Sequence, residues 1–168
     1  TLTTGDTNTL IGRRTGQNLT TADNNVALGY QAGVSYNSGG QSVFIGRNAG
    51  GTSGSGVTAI GYFACNNTTA DHTMGIGYNA ATSNTSGGEN VAVGNYSLRY
   101  NTTGSSNTSV GTYALENNTT ASENTAVGRE SLRANTTGLQ NTAIGRQSLL
   151  SNTTGNYNVA VGRSCMVN

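Results

Sequence analysis

One histidine, two cysteines and seven acids are all that this 168-residue chain offers for acid–base, nucleophilic or metal chemistry. His72 is the only side chain that ordinarily titrates near neutrality, so a histidine-activated nucleophile would have to be built around it. It sits beside Asp71 in an irregular stretch and reads as a surface-loop residue. Asp6, Asp23, Asp71, Glu89, Glu116, Glu123 and Glu130 are scattered, and Glu89 and Glu123 read as solvated turn charges. A glycosidase pair would need two carboxylates converging across the fold, a geometry that spacing does not report. Calcium-binding rolls repeat Gly-Gly-x-Gly-x-Asp, and no such unit recurs in register. Cys65 and Cys165 lie too far apart along the repeat for a disulfide and read as two small buried hydrophobes. No catalytic, cofactor-binding or metal-binding residue is assigned, no cofactor is expected, and the chain reads as a non-enzyme.

The residues suited to surface recognition are aromatic: Tyr30, Tyr62, Phe63, Tyr78, Tyr96 and Tyr113. On a polar scaffold they could stack on sugar rings while Asn and Thr supply hydrogen bonds. The competing reading, tyrosines packed over a bend or along a seam between chains, is preferred. Arg129, Arg146 and Arg163 recur at one spacing and predict an exposed, solvated row with acidic neighbours such as Glu130.

These side chains are positioned by a repeat. Ten times an aliphatic residue precedes glycine, from Ile11-Gly12 to Val161-Gly162, and the glycines are 17 residues apart except for two shorter steps between Gly46 and Gly77. A period this short means one small unit stacked on the next. With glycine as position 0, positions −3 and −1 are mostly β-branched or aliphatic and position −2 is mostly small, which is the alternation of a short strand. The strand aliphatics are expected inside the coil. Asn at −4 in seven repeats predicts either an amide ladder between rungs or a turn residue. Phrases such as Asn135-Thr136-Thr137-Gly138 predict polar turns. Each unit thus reads as strand, glycine bend, second short strand and turn. The chain is expected to form an all-β parallel β-solenoid over 1–168, irregular over 1–87 and regular over 88–168, with loosened packing at the short steps.

After the bend, position +3 is always small, while +4 becomes Leu98, Leu115, Leu132, Leu149 and Met166 in the last five repeats. If this piece is a strand, +3 and +4 point to opposite faces. Small residues inside then put the leucines outside, in a stripe that needs a cover. Identical neighbouring chains are the simplest cover, so these five residues are the expected trimer interface.

Only 33% of residues are apolar and 9% charged, with net charge +1 and no lysine. Such a composition would suggest disorder, but a fixed glycine spacing argues against it. The charge is not the footprint of a nucleic-acid binder, and no long apolar run predicts membrane insertion. The pattern starts and stops mid-repeat, as in a segment cut from a longer chain.

Residues 124–132, Asn-Thr-Ala-Val-Gly-Arg-Glu-Ser-Leu, resemble the head repeats of trimeric autotransporter adhesins. With Asn-Thr-Thr-Gly as the turn, the longer phrase resembles repeats of bacteriophage tail fibres. The spacing is a few residues longer than in the adhesins. The resemblance implies a left-handed β-roll wound as a homotrimer, located in the virion. It would be a stiff segment presenting a host-receptor surface for cell-surface glycan or protein, joined to other fibre or tail proteins. A bacterial surface adhesin is the alternative. An ice-binding solenoid is less favoured, because the Thr pairs sit in turns. A polysaccharide depolymerase is also less favoured, because such enzymes are usually larger.

Overall fold

The computed structural model describes residues 5–167; residues 1–4 and 168, the ends of the expected span, lie outside the described residues. Ten three-residue strands form one sheet: β1 (Thr9–Ile11), β2 (Val26–Leu28), β3 (Val43–Ile45), β4 (Thr58–Ile60), β5 (Met74–Ile76), β6 (Val91–Val93), β7 (Thr108–Val110), β8 (Thr125–Val127), β9 (Thr142–Ile144) and β10 (Val159–Val161). Their spatial order is their chain order, and every pairing is parallel. The register places like columns together, as in Thr108↔Thr125 and Val110↔Val127. The fold is therefore a β-solenoid. At roughly 4.8 Å per rung the stack is about 45 Å long.

The sheet continues through the two short steps, with Val43 opposite Thr58 and Thr58 opposite Met74. What changes there is the filling of the interior, described below.

Two expectations about facing are corrected. First, the strand aliphatics point outward. In each strand from β2 on, the middle residue is buried, while Val26, Leu28 and Ile144 remain about two-fifths exposed. Alternation allows only one of the two sets inside. The space under the strand admits a small residue, because large side chains enter from the opposite wall. Second, that wall is not a strand. The chain turns after the glycine, and position +4 is left-handed, with φ of 51° at Leu98, 46° at Leu115, 49° at Leu132 and 50° at Leu149. Strict alternation requires extended backbone, so here +3 and +4 can both face inward. Leu98, Leu115 and Leu132 are fully buried and Leu149 nearly so, all within a single chain. The leucine column needs no neighbouring subunit; it is the core. Only Met166, in the last turn, is exposed. A left-handed leucine costs about 1–2 kcal/mol, which burial of its side chain, worth about 1.5–3 kcal/mol, offsets.

Interior volume is shared between positions −2 and +4. In the sixth, eighth and ninth turns −2 is alanine and +4 is leucine, as with Ala126 and Leu132. In the first and third turns the arrangement is inverted. Phe44 fills from the strand side, and a Cβ on Gly50 would lie 2.5 Å from its ring. Leu10 covers Gly16 in the same way, at 3.0 Å. Tyr36 packs edge-on against Phe44 with ring centroids 4.8 Å apart, adding bulk where the repeat is irregular.

Much of the remaining interior is polar and, Thr68 excepted, paired through hydrogen bonds that run from rung to rung. Position −4 forms an amide ladder: Asn107 Nδ2 donates to Asn90 Oδ1 (3.1 Å), Asn124 to Asn107 (3.2 Å), Asn141 to Asn124 (3.2 Å) and Asn158 to Asn141 (3.0 Å). Each of these oxygens also accepts the next asparagine's backbone N–H, as Asn90 does from Asn107 at 2.9 Å. A second ladder, at +7, joins Asn84, Asn101, Asn118, Asn135 and Asn152 at 2.8–3.0 Å. The two ladders converge on one carbonyl per turn. Asn107 and Asn118 both donate to Ala121, and Asn124 and Asn135 both donate to Gly138. The −4 ladder is interrupted at Ser42, Val57 and Thr73, and the +7 ladder begins only at Asn84, because Leu19, Tyr36, Ser53 and Thr68 occupy the earlier +7 positions; the Thr68 hydroxyl is buried and unpartnered. Close stacking also fixes the glycines: a Cβ on Gly128 (φ +130°) would sit 2.6 Å from the carbonyl of Gly145.

Two outcomes follow. Leu132→Gly lowers unfolding free energy by about 3–5 kcal/mol, and adding Ala126→Leu, which copies the first-turn arrangement, recovers part of the loss in urea denaturation. Asn118→Ala strands the Asn101 oxygen and costs about 1–3 kcal/mol, read as a lower thermal midpoint.

Candidate functional site

The residues just after each glycine form a corner where the chain leaves the sheet, and their side chains stack up the rod. Tyr62 and Tyr78 lie parallel at 5.1 Å, Tyr78 meets Tyr96 edge-on at 5.2 Å, and Tyr96 and Tyr113 lie parallel at 5.2 Å. Phe63 packs edge-on against Tyr62 at 4.6 Å. Arg47 bridges Tyr30 and Tyr62, at 5.6 and 5.5 Å from their ring centroids. All six aromatic residues singled out from the sequence thus belong to one rail.

The rail closes on itself. Tyr62 has Arg47 and Tyr78 over its ring, and Tyr113 has Tyr96 and Arg133, the latter at 4.9 Å. A pyranose stacks only on a free ring face, and these faces are taken. The alternative reading, tyrosines packed along the corner, describes Tyr62, Tyr78, Tyr96 and Tyr113 better than sugar stacking does. A ligand would meet hydroxyls, ring edges and guanidinium groups instead. Such ring pairs contribute about 0.5–1.5 kcal/mol each beyond area burial, so the rail also stiffens the stack.

Sequence reading missed the +5 column. Arg99 lies over Tyr96 and Tyr100, at 4.9 and 4.7 Å. Glu116 is nearly buried beneath it, 2.8 Å from Arg133 and 3.9 Å from Arg99. The result is an Arg–Glu–Arg ladder over three rungs. The available signal was the shared +5 position of these three residues, three places after the aromatic column.

The arginine row emerges as expected. Arg129, Arg146 and Arg163 are exposed, and Arg129 pairs with Glu130 at 2.8 Å. A hydrogen bond from Gln147, helped by Arg129, holds the Glu130 carboxyl below its ordinary value. Stability from this group is therefore present above the unfolded-chain value and lost as pH falls through the lower folded value.

His72 and Asp71 line an open groove of 450 Å³ with Ser86, Gly88, Glu89 and Ser105. Both are exposed, and Asp71 caps the backbone N–H of Ser55 at 2.7 Å. No group of three His, Cys, Asp or Glu among the described residues could hold a metal ion. The cysteines are free; Cys65 is buried as expected, with burial pushing its thiol up to about 12, whereas Cys165 is half-buried. No protein-family model, curated protein or solved structure matches this chain. Among the described residues, no helix is long and apolar enough to cross a membrane.

A thiol reagent at pH 8 modifies one cysteine, Cys165, in the native protein. Cys65 reacts only after denaturation, by mass spectrometry of the labelled peptides.

Proposed function

We propose that this chain is a structural and adhesive segment of an extracellular fibre, a left-handed β-roll wound as a homotrimer, that serves as a stiff rod and presents a host-receptor surface. By the resemblance of the longer phrase, with Asn135-Thr136-Thr137-Gly138 as its turn, the appendage is a virion tail fibre; a bacterial surface adhesin, whose head repeats residues 124–132 resemble, is the alternative and would use the same rod. The reading assigns no catalytic step. The observation that carries it is the unbroken parallel stack of ten rungs, tied along its axis by two amide ladders and an aromatic rail. A chain held at every rung resists bending, and its periodic surface repeats weak contacts. Three copies would multiply such contacts into avidity. The exposed hydroxyls, ring edges and guanidinium groups of the corner suit polar or acidic glycans by hydrogen bonds and charge.

Negative-stain images should show thin rods, and light scattering should give about three times the 17.1 kDa chain mass. Fluorescently labelled protein should bind some members of a panel of bacterial cells, and removing surface polysaccharide should abolish binding. Labelled rods that bind no cell, with or without their glycans, would remove the adhesive half of the proposal.

A further inference from the structure

The outward face of the sheet and the charges beside it point to a specific way for copies of this chain to meet. Positions −3 and −1 of ten strands form a flat face with Val26, Leu28, Met74 and Ile144 each more than a third exposed. Because all strands run the same way, one long edge of this face carries positions −6 and −5 and the other carries position +1. The first edge is acidic: Asp6, Asp23, Asp71, Glu89 and Glu123, all exposed. The second is basic: Arg13, Arg47, Arg129, Arg146 and Arg163, also all exposed. The remaining arginines, Arg14, Arg99 and Arg133, lie beyond the basic edge at +2 and +5. Among the described residues, no acid of the first edge pairs with an arginine. The rod is thus polarised across its width, with an apolar strip between opposite charges.

We propose that this face is where the chain associates with further copies of itself, with all rods pointing the same way. Rotation about an axis parallel to the rod brings the acidic edge of one copy against the basic edge of the next, whatever the number of copies. Turning one rod end for end brings like edges together, acid on acid and base on base, so antiparallel packing is repelled. The face is about 45 Å long and, at roughly 3.3 Å per residue from −5 to +1, about 20 Å wide. That matches the roughly 800 Å² per partner of a stable interface. Face and edges together take the place that the sequence reading gave to the leucine column. The inference rests on the homo-oligomeric part of the proposed function and is independent of receptor binding.

Charge reversal tests it. Glu89→Arg with Glu123→Arg weakens self-association by about tenfold in low salt, as does Arg129→Glu with Arg146→Glu, by sedimentation equilibrium. All four substitutions in one chain restore it, which added damage to the fold would not do. Orientation is read by crosslinking in a Cys165→Ser background. Val127→Cys forms disulfide-linked pairs with itself, since parallel copies place β8 beside β8. A wild-type monomer at about 100 µM, far above the affinity such an interface supports, would overturn the proposal. So would reversals that leave the mass unchanged, or a Val127→Cys chain that crosslinks only to Ile45→Cys, its opposite in antiparallel rods. Intact parallel assembly without cell binding would remove the adhesive reading alone.

Discussion

Each rung of this rod completes its neighbour's hydrogen bonds, and the architecture depends on that obligation. A 17-residue coil is too thin to bury much apolar surface. Its interior is instead split between one hydrophobic column and two columns of asparagine. An amide carries as many donors as acceptors and can serve the rung on either side plus a carbonyl of its own turn, as Asn118 and Asn124 do. Buried amides left half paired would cost more than an apolar core of the same size. The penalty therefore falls on any change of period, because a shifted rung would break both ladders at once.

That obligation explains a composition that would otherwise suggest disorder. Asparagine, threonine and glycine here are interior and corner residues. Thr102, Thr119 and Thr136 each pass a hydroxyl to the carbonyl of the following turn, and Gly128 occupies a place where a side chain would strike the next rung. Few hydrophobic residues are needed because they are concentrated in one line, where leucine alternates in function with Phe44 and Leu10 entering from the opposite wall.

The period, the parallel stacking and the strand positions were legible because glycine spacing and β-branched alternation are local signals. The −4 ladder was legible in part, since recurring Asn admits a ladder or a turn. Which way the strands faced was not legible. The inference turned on whether residues 97 and 98 lie on extended backbone, and a left-handed Leu98 carries no sequence mark, because the favoured glycine is absent. The same ambiguity hid the second ladder, since Asn101 and Asn118 look like turn asparagines. At the corner the aromatic residues were visible as a set, but the Arg–Glu–Arg column above them spans 34 residues of chain and becomes one object only once the rungs are stacked.

The stretch from Ser42 to Thr73, where the −4 column lacks asparagine and the +7 column has not yet begun, matters most for a rod that bears load. A fibre pulled along its axis fails at its weakest link. Here that link is the stretch where neither asparagine column runs, leaving backbone pairing, Phe44 and isolated side-chain bonds such as that from Asn66 to the Asn48 carbonyl to carry the tension. Built into one third of the shaft, it would act as a mechanical fuse, yielding first and sparing the tightly laced C-terminal half.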